Sequence, residues 1–236
     1  MWVAGFIIFV SLFQNLHASP PRKLVGKLES KVESKVGRFK GEFRKLSNEV
    51  IDTMKDSNDV KTGECKPYTL IFVRGTWDKP GNMGIAVGPH FAHALQRVLP
   101  GGKEALAVQG VRYSAETSTY FQHGSTFGAS ELTKWIKKAC GCSKTKLIIS
   151  GYSQGAQIVH RAIDKLPQEM ADRVNAIVTF GDPEQRHNFG KGLDAKAKRI
   201  CYDSDLICKE IAVPVGAHWI YELKTKEAAE FVAGKV

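Results

Sequence analysis

From Cys65 onward, short apolar runs alternate with amphipathic stretches. Tyr68 to Arg74, Leu106 to Val111, Lys146 to Ser150, Ala176 to Gly181 and Lys198 to Cys201 are brief and rich in Val, Ile and Leu, which predicts five strands. Helices are predicted between them, at about Pro89 to Leu99, Gly128 to Ala139, Gln154 to Leu166 and Gln168 to Arg173, with Lys224 to Ala233 closing the chain. This order belongs to an α/β protein, a doubly wound five-stranded parallel sheet flanked by helices, whose chemistry gathers at the carboxyl ends of the strands.

Upstream the period changes. Val25, Leu28, Val32, Val36, Phe39, Phe43, Leu46 and Val50 recur at steps of three and four, an apolar stripe along one face of a long helix, although Gly26, Gly37 and Gly41 weaken it. Arg22 to Glu64 holds eleven basic and eight acidic side chains, so the stripe has basic flanks. Such a segment suits contact with an acidic surface or membrane, or a coiled-coil arm; it also suits a helix laid on the domain or a removable pro-segment. Ahead of it, Met1 to Ser19 carries no charged side chain, contains the apolar run Val3 to Phe13 and ends in Ala18-Ser19 before two prolines. That is the pattern of a secretory signal peptide cut near Ala18, its apolar run too short to span a bilayer. The expected organisation is a signal peptide over 1–18, a basic helical arm over 19–64 and one α/β domain over 65–236, secreted and monomeric.

The formal charge of +10 and pI near 9.4 suggest nucleic acid as a partner, but the basic residues are spread along a chain expected to be exported, so no nucleic acid is expected. Export also turns the five cysteines into disulfide candidates. Cys140-Gly141-Cys142 is too tight for a usual zinc pair and no His stands at ligand spacing from Cys201 or Cys208, so neither metal nor cofactor is expected. Cys201 and Cys208 would close a short loop; Cys65 would reach Cys140 or Cys142.

The chemistry centres on Gly151-Tyr152-Ser153-Gln154-Gly155, placed between the apolar run Leu147-Ile148-Ile149 and the helix beginning Ala156-Gln157-Ile158-Val159. Glycines two residues either side of a serine, at a strand-to-helix turn, let the chain reverse sharply enough to expose the hydroxyl above the sheet as a nucleophile. A serine hydroxyl needs a base, an acid to orient that base, and donors for the oxyanion. The order for this kind of elbow is Ser, then Asp or Glu, then His. His17, His90, His93 and His123 precede the serine, and His160 lies two turns along the helix and faces away. His187 has Asp182 and Glu184 as its acids, whereas His218 sits in a late loop and has Asp205, with Asp203 as the rival carboxylate. His218 with Asp205 is the better pair. The oxyanion donors would be the backbone N–H of Gln154 and Thr76, in the loop Arg74-Gly75-Thr76-Trp77-Asp78 after the first strand.

Together, Val73-Arg74-Gly75-Thr76, the Gly151–Gly155 elbow, Phe180-Gly181-Asp182-Pro183, Asp205-Leu206-Ile207-Cys208, and His218 followed by Tyr221 resemble the cutinase family of secreted serine esterases from about Cys65 onward. The resemblance implies a lidless α/β-hydrolase acting on cutin, polyesters or lipid-like esters. It also implies Ser153, Asp205 and His218 as the triad, Thr76 and Gln154 as oxyanion donors, and disulfides Cys201–Cys208 and Cys65–Cys142, leaving Cys140 as a thiol. Thr119-Tyr120 stands where many members carry Asn beside a tyrosine, which bears on what supports Thr76. The stretches Tyr113 to Phe127 and Ile211 to Trp219 would form the cleft walls. Acetylated xylan and lipids or phospholipids are the alternative substrates, and a non-catalytic surface-binding or elicitor-like protein is the alternative function; Val213-Pro214-Val215 beside His218 favours an apolar ester over a sugar.

Overall fold

A computed structural model describes residues 48–236 of the chain. The expectation of a signal peptide and most of the predicted arm, up to Ser47, lie outside the described residues. Five strands, β1 (Tyr68–Val73), β2 (Leu106–Gly110), β3 (Lys146–Tyr152), β4 (Val174–Phe180) and β5 (Ala197–Ile200), form one parallel sheet in the order β2-β1-β3-β4-β5. The helices are α1 (Asp59–Thr62), α2 (Gly88–Val98), α3 (Gly102–Ala105), α4 (Thr117–Tyr120), α5 (Thr126–Cys140), α6 (Gln154–Lys165), α7 (Gln168–Asp172) and α8 (Thr225–Ala233).

Successive residues of a strand point to opposite faces, and here both faces are covered, which is why the strands read as continuous apolar runs. Ile71, Val73, Ile149 and Ile177 share one core with Leu132 and Ile136 of α5 and Ile158 and Ala162 of α6. Leu70, Phe72, Ile148, Val178 and Phe180 share the other with Phe91 and Leu95 of α2 and Ala228 and Val232 of α8. The strand order reverses beside β1, so the loops leaving β1 and β3 emerge next to each other, the usual place for a site in such sheets.

Two differences from the sequence expectations matter for the site. β3 runs on to Tyr152, so the strand delivers Ser153 directly instead of ending at Ser150. The four-residue helices α1, α3 and α4 have no counterpart in the expected elements, being too short to carry an apolar period.

Among the described residues, 48–64 of the expected arm form one compact unit with the residues that follow. Residues 48–54 are helical, and the chain then runs along the outer edge of β2: Asn58 bridges Gln109, Ser57 O accepts the Gly110 N–H at 3.0 Å, and Asp59 Oδ2 accepts the Val108 N–H at 2.9 Å. Val60 enters the core. An open sheet edge is a row of unpaired backbone groups, and this segment covers it. The docking uses backbone atoms and short Asn, Ser and Asp side chains, which leave no hydrophobic period to read. Disulfides join Cys65 to Cys142 and Cys201 to Cys208, while Cys140 is a free thiol.

Candidate active site

The turn from β3 into α6 explains its two glycines by contact. A Cβ on Gly151 would lie 2.4 Å from Gly155 O, and one on Gly155 would lie 2.1 Å from Val73 O, so any side chain at either position would push the helix off the sheet. Between them Ser153 adopts φ 55° and ψ −121°, a conformation non-glycine residues avoid, and it is held there by its N–H donating to Phe180 O at 2.9 Å. Strain at a serine that the surroundings over-determine is what a nucleophile elbow requires.

His218 stands in the loop before α8 and reaches both partners. Its Nε2 lies 3.0 Å from Ser153 Oγ and its Nδ1 lies 2.8 Å from Asp205 Oδ2. An ionised carboxylate can only accept, so Nδ1 carries the proton and the lone pair of Nε2 faces the serine hydroxyl. Ser153, His218 and Asp205 are all buried, Asp205 completely. Burial pushes the Asp205 carboxyl up, but hydrogen bonds from His218 and Tyr221, the charge of His218 and the Ile207 N–H outweigh it and hold the carboxyl below its ordinary value. The Cys201–Cys208 disulfide closes the loop carrying Asp205. Asp203, the rival carboxylate, is exposed in that loop.

Two tyrosines complete this half of the site. Tyr221 Oη donates to Asp205 Oδ2 at 2.8 Å and accepts the Tyr202 N–H at 3.1 Å. Tyr152 Oη donates to His218 O at 2.7 Å while its ring stacks on the imidazole at 5.2 Å. Burial raises the pKa of both phenols, so they remain donors throughout the working range of a histidine base. The sequence reading gave neither a role, because an aromatic residue beside a motif looks the same whether it packs or orients.

The opposite half is formed by the β1–α2 loop and the start of α6. Gln154 is the first residue of α6, and the first N–H groups of a helix have no intrahelical acceptor. Thr76 Oγ1 is buried and has no hydrogen-bond partner among the described residues. Thr119 Oγ1 donates back along α4, to Glu116 O at 2.9 Å, and so does not support Thr76. Trp77, next to Thr76 in the chain, and Trp219, whose ring meets His218 edge-on at 5.7 Å, are exposed, as are Phe121, Phe127, Ile211 and Leu223 elsewhere on the surface. Of the other histidines, His160 is buried and pairs with Asp182 at 3.1 Å, and His123 pairs with Glu184 at 3.0 Å, so both acids considered for His187 are engaged elsewhere.

A family model described as Cutinase matches residues 64–236. The chain is 36% identical over 187 residues to a cutinase of Pyricularia oryzae, covering 76% of this chain and 86% of that one. It superposes on the Trichoderma reesei cutinase in complex with a phosphonate inhibitor with a TM-score of 0.71 and 32% identity, over 80% of this chain and 85% of that one. An acetylxylan esterase structure, at 20% identity and a TM-score of 0.51 over 73% of this chain and 99% of that one, shares the fold alone.

Proposed function

The chain belongs to the cutinase family of carboxylic ester hydrolases, and from that premise we propose that it cleaves cutin or a similarly apolar polyester through an acyl-enzyme on Ser153. The observation that carries the reading is the imidazole of His218 lying within hydrogen-bond distance of both Ser153 Oγ and Asp205. As Ser153 Oγ attacks the ester carbonyl, its proton passes to Nε2 of His218. The resulting imidazolium is stabilised by Asp205, which also holds the ring in the tautomer that leaves Nε2 free. The negative charge on the former carbonyl oxygen is met by the Gln154 N–H and Thr76. His218 then protonates the departing alkoxide, and water, deprotonated by the same imidazole, releases the acid from Ser153.

Exposed Trp77 and Trp219, next to Thr76 and His218, support an ester with apolar surroundings over a hydrated, acetylated sugar. Export after removal of Met1–Ala18 accords with two disulfides, and sequencing the amino terminus of protein recovered from medium tests it; a retained Met1 would refute it. Contact of residues 19–47 with an anionic surface rests on their basic flanks. A chain starting at Asn48 should then keep its rate on a soluble ester and bind anionic vesicles less; equal binding would refute that contact.

The deciding experiment uses p-nitrophenyl esters of graded chain length and a fluorophosphonate probe. Wild type should hydrolyse the esters and be labelled at Ser153 with one equivalent. Ser153→Ala should lose about 10⁴-fold or more in turnover and all labelling. Labelling that survives Ser153→Ala would overturn the assignment.

A further inference from the structure

The two donors proposed for the oxyanion stand on separate elements, Thr76 after β1 and Gln154 at the start of α6. Such donors stabilise a transition state only if their spacing is held to a fraction of an ångström, about 0.5 Å, so something must tie the elements together. Three consecutive residues span them. Ala115 O accepts the Trp77 N–H at 3.0 Å, Thr117 Oγ1 accepts the Trp77 indole Nε1–H at 2.9 Å, and Glu116 O accepts the Gln154 side-chain Nε2–H at 2.8 Å. Each residue of the segment supplies one acceptor, two to the strand-end loop and one to the helix.

The backbone shows the same constraint. Trp77 has φ 57° and Ala115 has φ 54°, both in the left-handed region, and these two strained residues are joined by a hydrogen bond. A bulky residue there is an outlier that persists only where its surroundings impose it. Burial does not impose it on Trp77, whose side chain is 62% exposed, whereas Ala115 is fully buried. The hydrogen bonds that Trp77 makes with its N–H groups both go to the segment, while the Lys79 ammonium lies over its ring at 5.2 Å. Thr76 shares a peptide with Trp77, so whatever fixes Trp77 fixes the oxyanion threonine.

We propose that Ala115–Thr117 is a brace setting the spacing of the two oxyanion donors, and that Trp77 is its positioning residue, acting on Thr76 through the shared backbone. The inference rests on the acyl-enzyme reading above. Neither Trp77 Nε1 nor Thr117 Oγ1 is asked to touch the reacting atoms, and the effect belongs to the transition state, so it falls on kcat and not on KM. An exposed neutral hydrogen bond is weak, which limits the loss to about three- to tenfold.

Trp77→Phe removes the indole donor and Thr117→Val removes its acceptor without changing shape. Both are assayed on p-nitrophenyl butyrate and by the rate of inactivation with a p-nitrophenyl alkylphosphonate, which builds tetrahedral charge at the same place. Each variant should lose about three- to tenfold in kcat and in inactivation rate, with KM within about twofold of wild type and an unchanged melting temperature. The double variant should be no slower than the worse single, because one bond joins the pair. Thr117→Ser should recover most of the rate lost in Thr117→Val. Unchanged kcat, multiplicative losses in the double variant, or a loss that tracks melting temperature overturns the brace. If wild type hydrolyses and is labelled while the variants match it, only the brace fails; if wild type does neither, the acyl-enzyme reading fails and takes the brace with it.

Discussion

Two buried histidine–aspartate pairs lie in this domain, and only one of them meets a serine. His218 and Asp205 are 2.8 Å apart; His160 and Asp182 are 3.1 Å apart, with comparable burial. His218 comes from a loop, so its ring can present one nitrogen to Asp205 and the other to Ser153. His160 belongs to α6, the helix that directly follows Ser153, and its ring lies flat on Phe189 at 4.1 Å. Asp205 also accepts from Tyr221 Oη and the Ile207 N–H, and Asp182 from the Glu184 N–H. A buried His–Asp pair is therefore not in itself a sign of catalysis. What separates the two is whether the second ring nitrogen has a hydroxyl in reach, and that depends on which elements carry the residues.

Exchanging the histidines gives the largest contrast. His218→Gln should lower turnover by about 10⁴-fold or more while the protein stays folded. His160→Leu should leave turnover within about threefold but cost about 1–3 kcal/mol of stability, because Asp182 Oδ2 is left buried without its partner. Turnover and thermal melts of the two variants side by side check this, and a large catalytic loss in His160→Leu would end the distinction.

The aspartates sharpen it with a smaller effect. Asp205→Asn should cost about 10³- to 10⁴-fold in turnover, because an amide no longer selects the tautomer with its proton on Nδ1. Asp182→Asn should act on melting temperature alone, and Asp203→Asn, in an exposed position, on neither. Equal losses for Asp203→Asn and Asp205→Asn would mean the wrong carboxylate has been paired with His218.

The smallest effect is in acid. Asp205 is held below its ordinary value, so its contribution to stability is complete above the unfolded carboxylate value, about 3.9, and is lost as pH falls through the lowered folded value. Tyr221→Phe removes one of the donors that lowers it. The folded value then rises, and the acid edge of the stability curve should move to higher pH. Melting temperatures from pH 2 to 7 for wild type and Tyr221→Phe measure the shift; superimposable acid edges would show that Tyr221 does not hold the carboxylate ionised.

Much of this molecule is written locally. Strands buried on both faces need unbroken apolar runs, the elbow needs glycine where a Cβ would collide with backbone, and the order of Ser153, Asp205 and His218 is a property of the chain itself. Those features could be read because each places its demand on neighbouring residues. The Cys65–Cys142 bond could be narrowed by residue order only to Cys140 or Cys142. The segment from Asn48 to Glu64 cannot be told from the arm by its pattern, because it holds the edge of β2 with backbone and short polar groups, which leave no period. Tyr221 and Tyr152 gain their roles from the folding of loops that lie far apart in sequence. The same is true of the brace: Trp77 and Thr117 are 40 positions apart and meet only because β1 and β2 are neighbours in the sheet. Sequence by itself determined which chemistry the chain carries, since nucleophile, acid and base are residue types in a required order. Only the tertiary structure brought Tyr152 and Tyr221 to His218 and Asp205, and Thr117 to Trp77, because a hydrogen bond between distant segments depends on distance and direction, and neither exists until the sheet has formed.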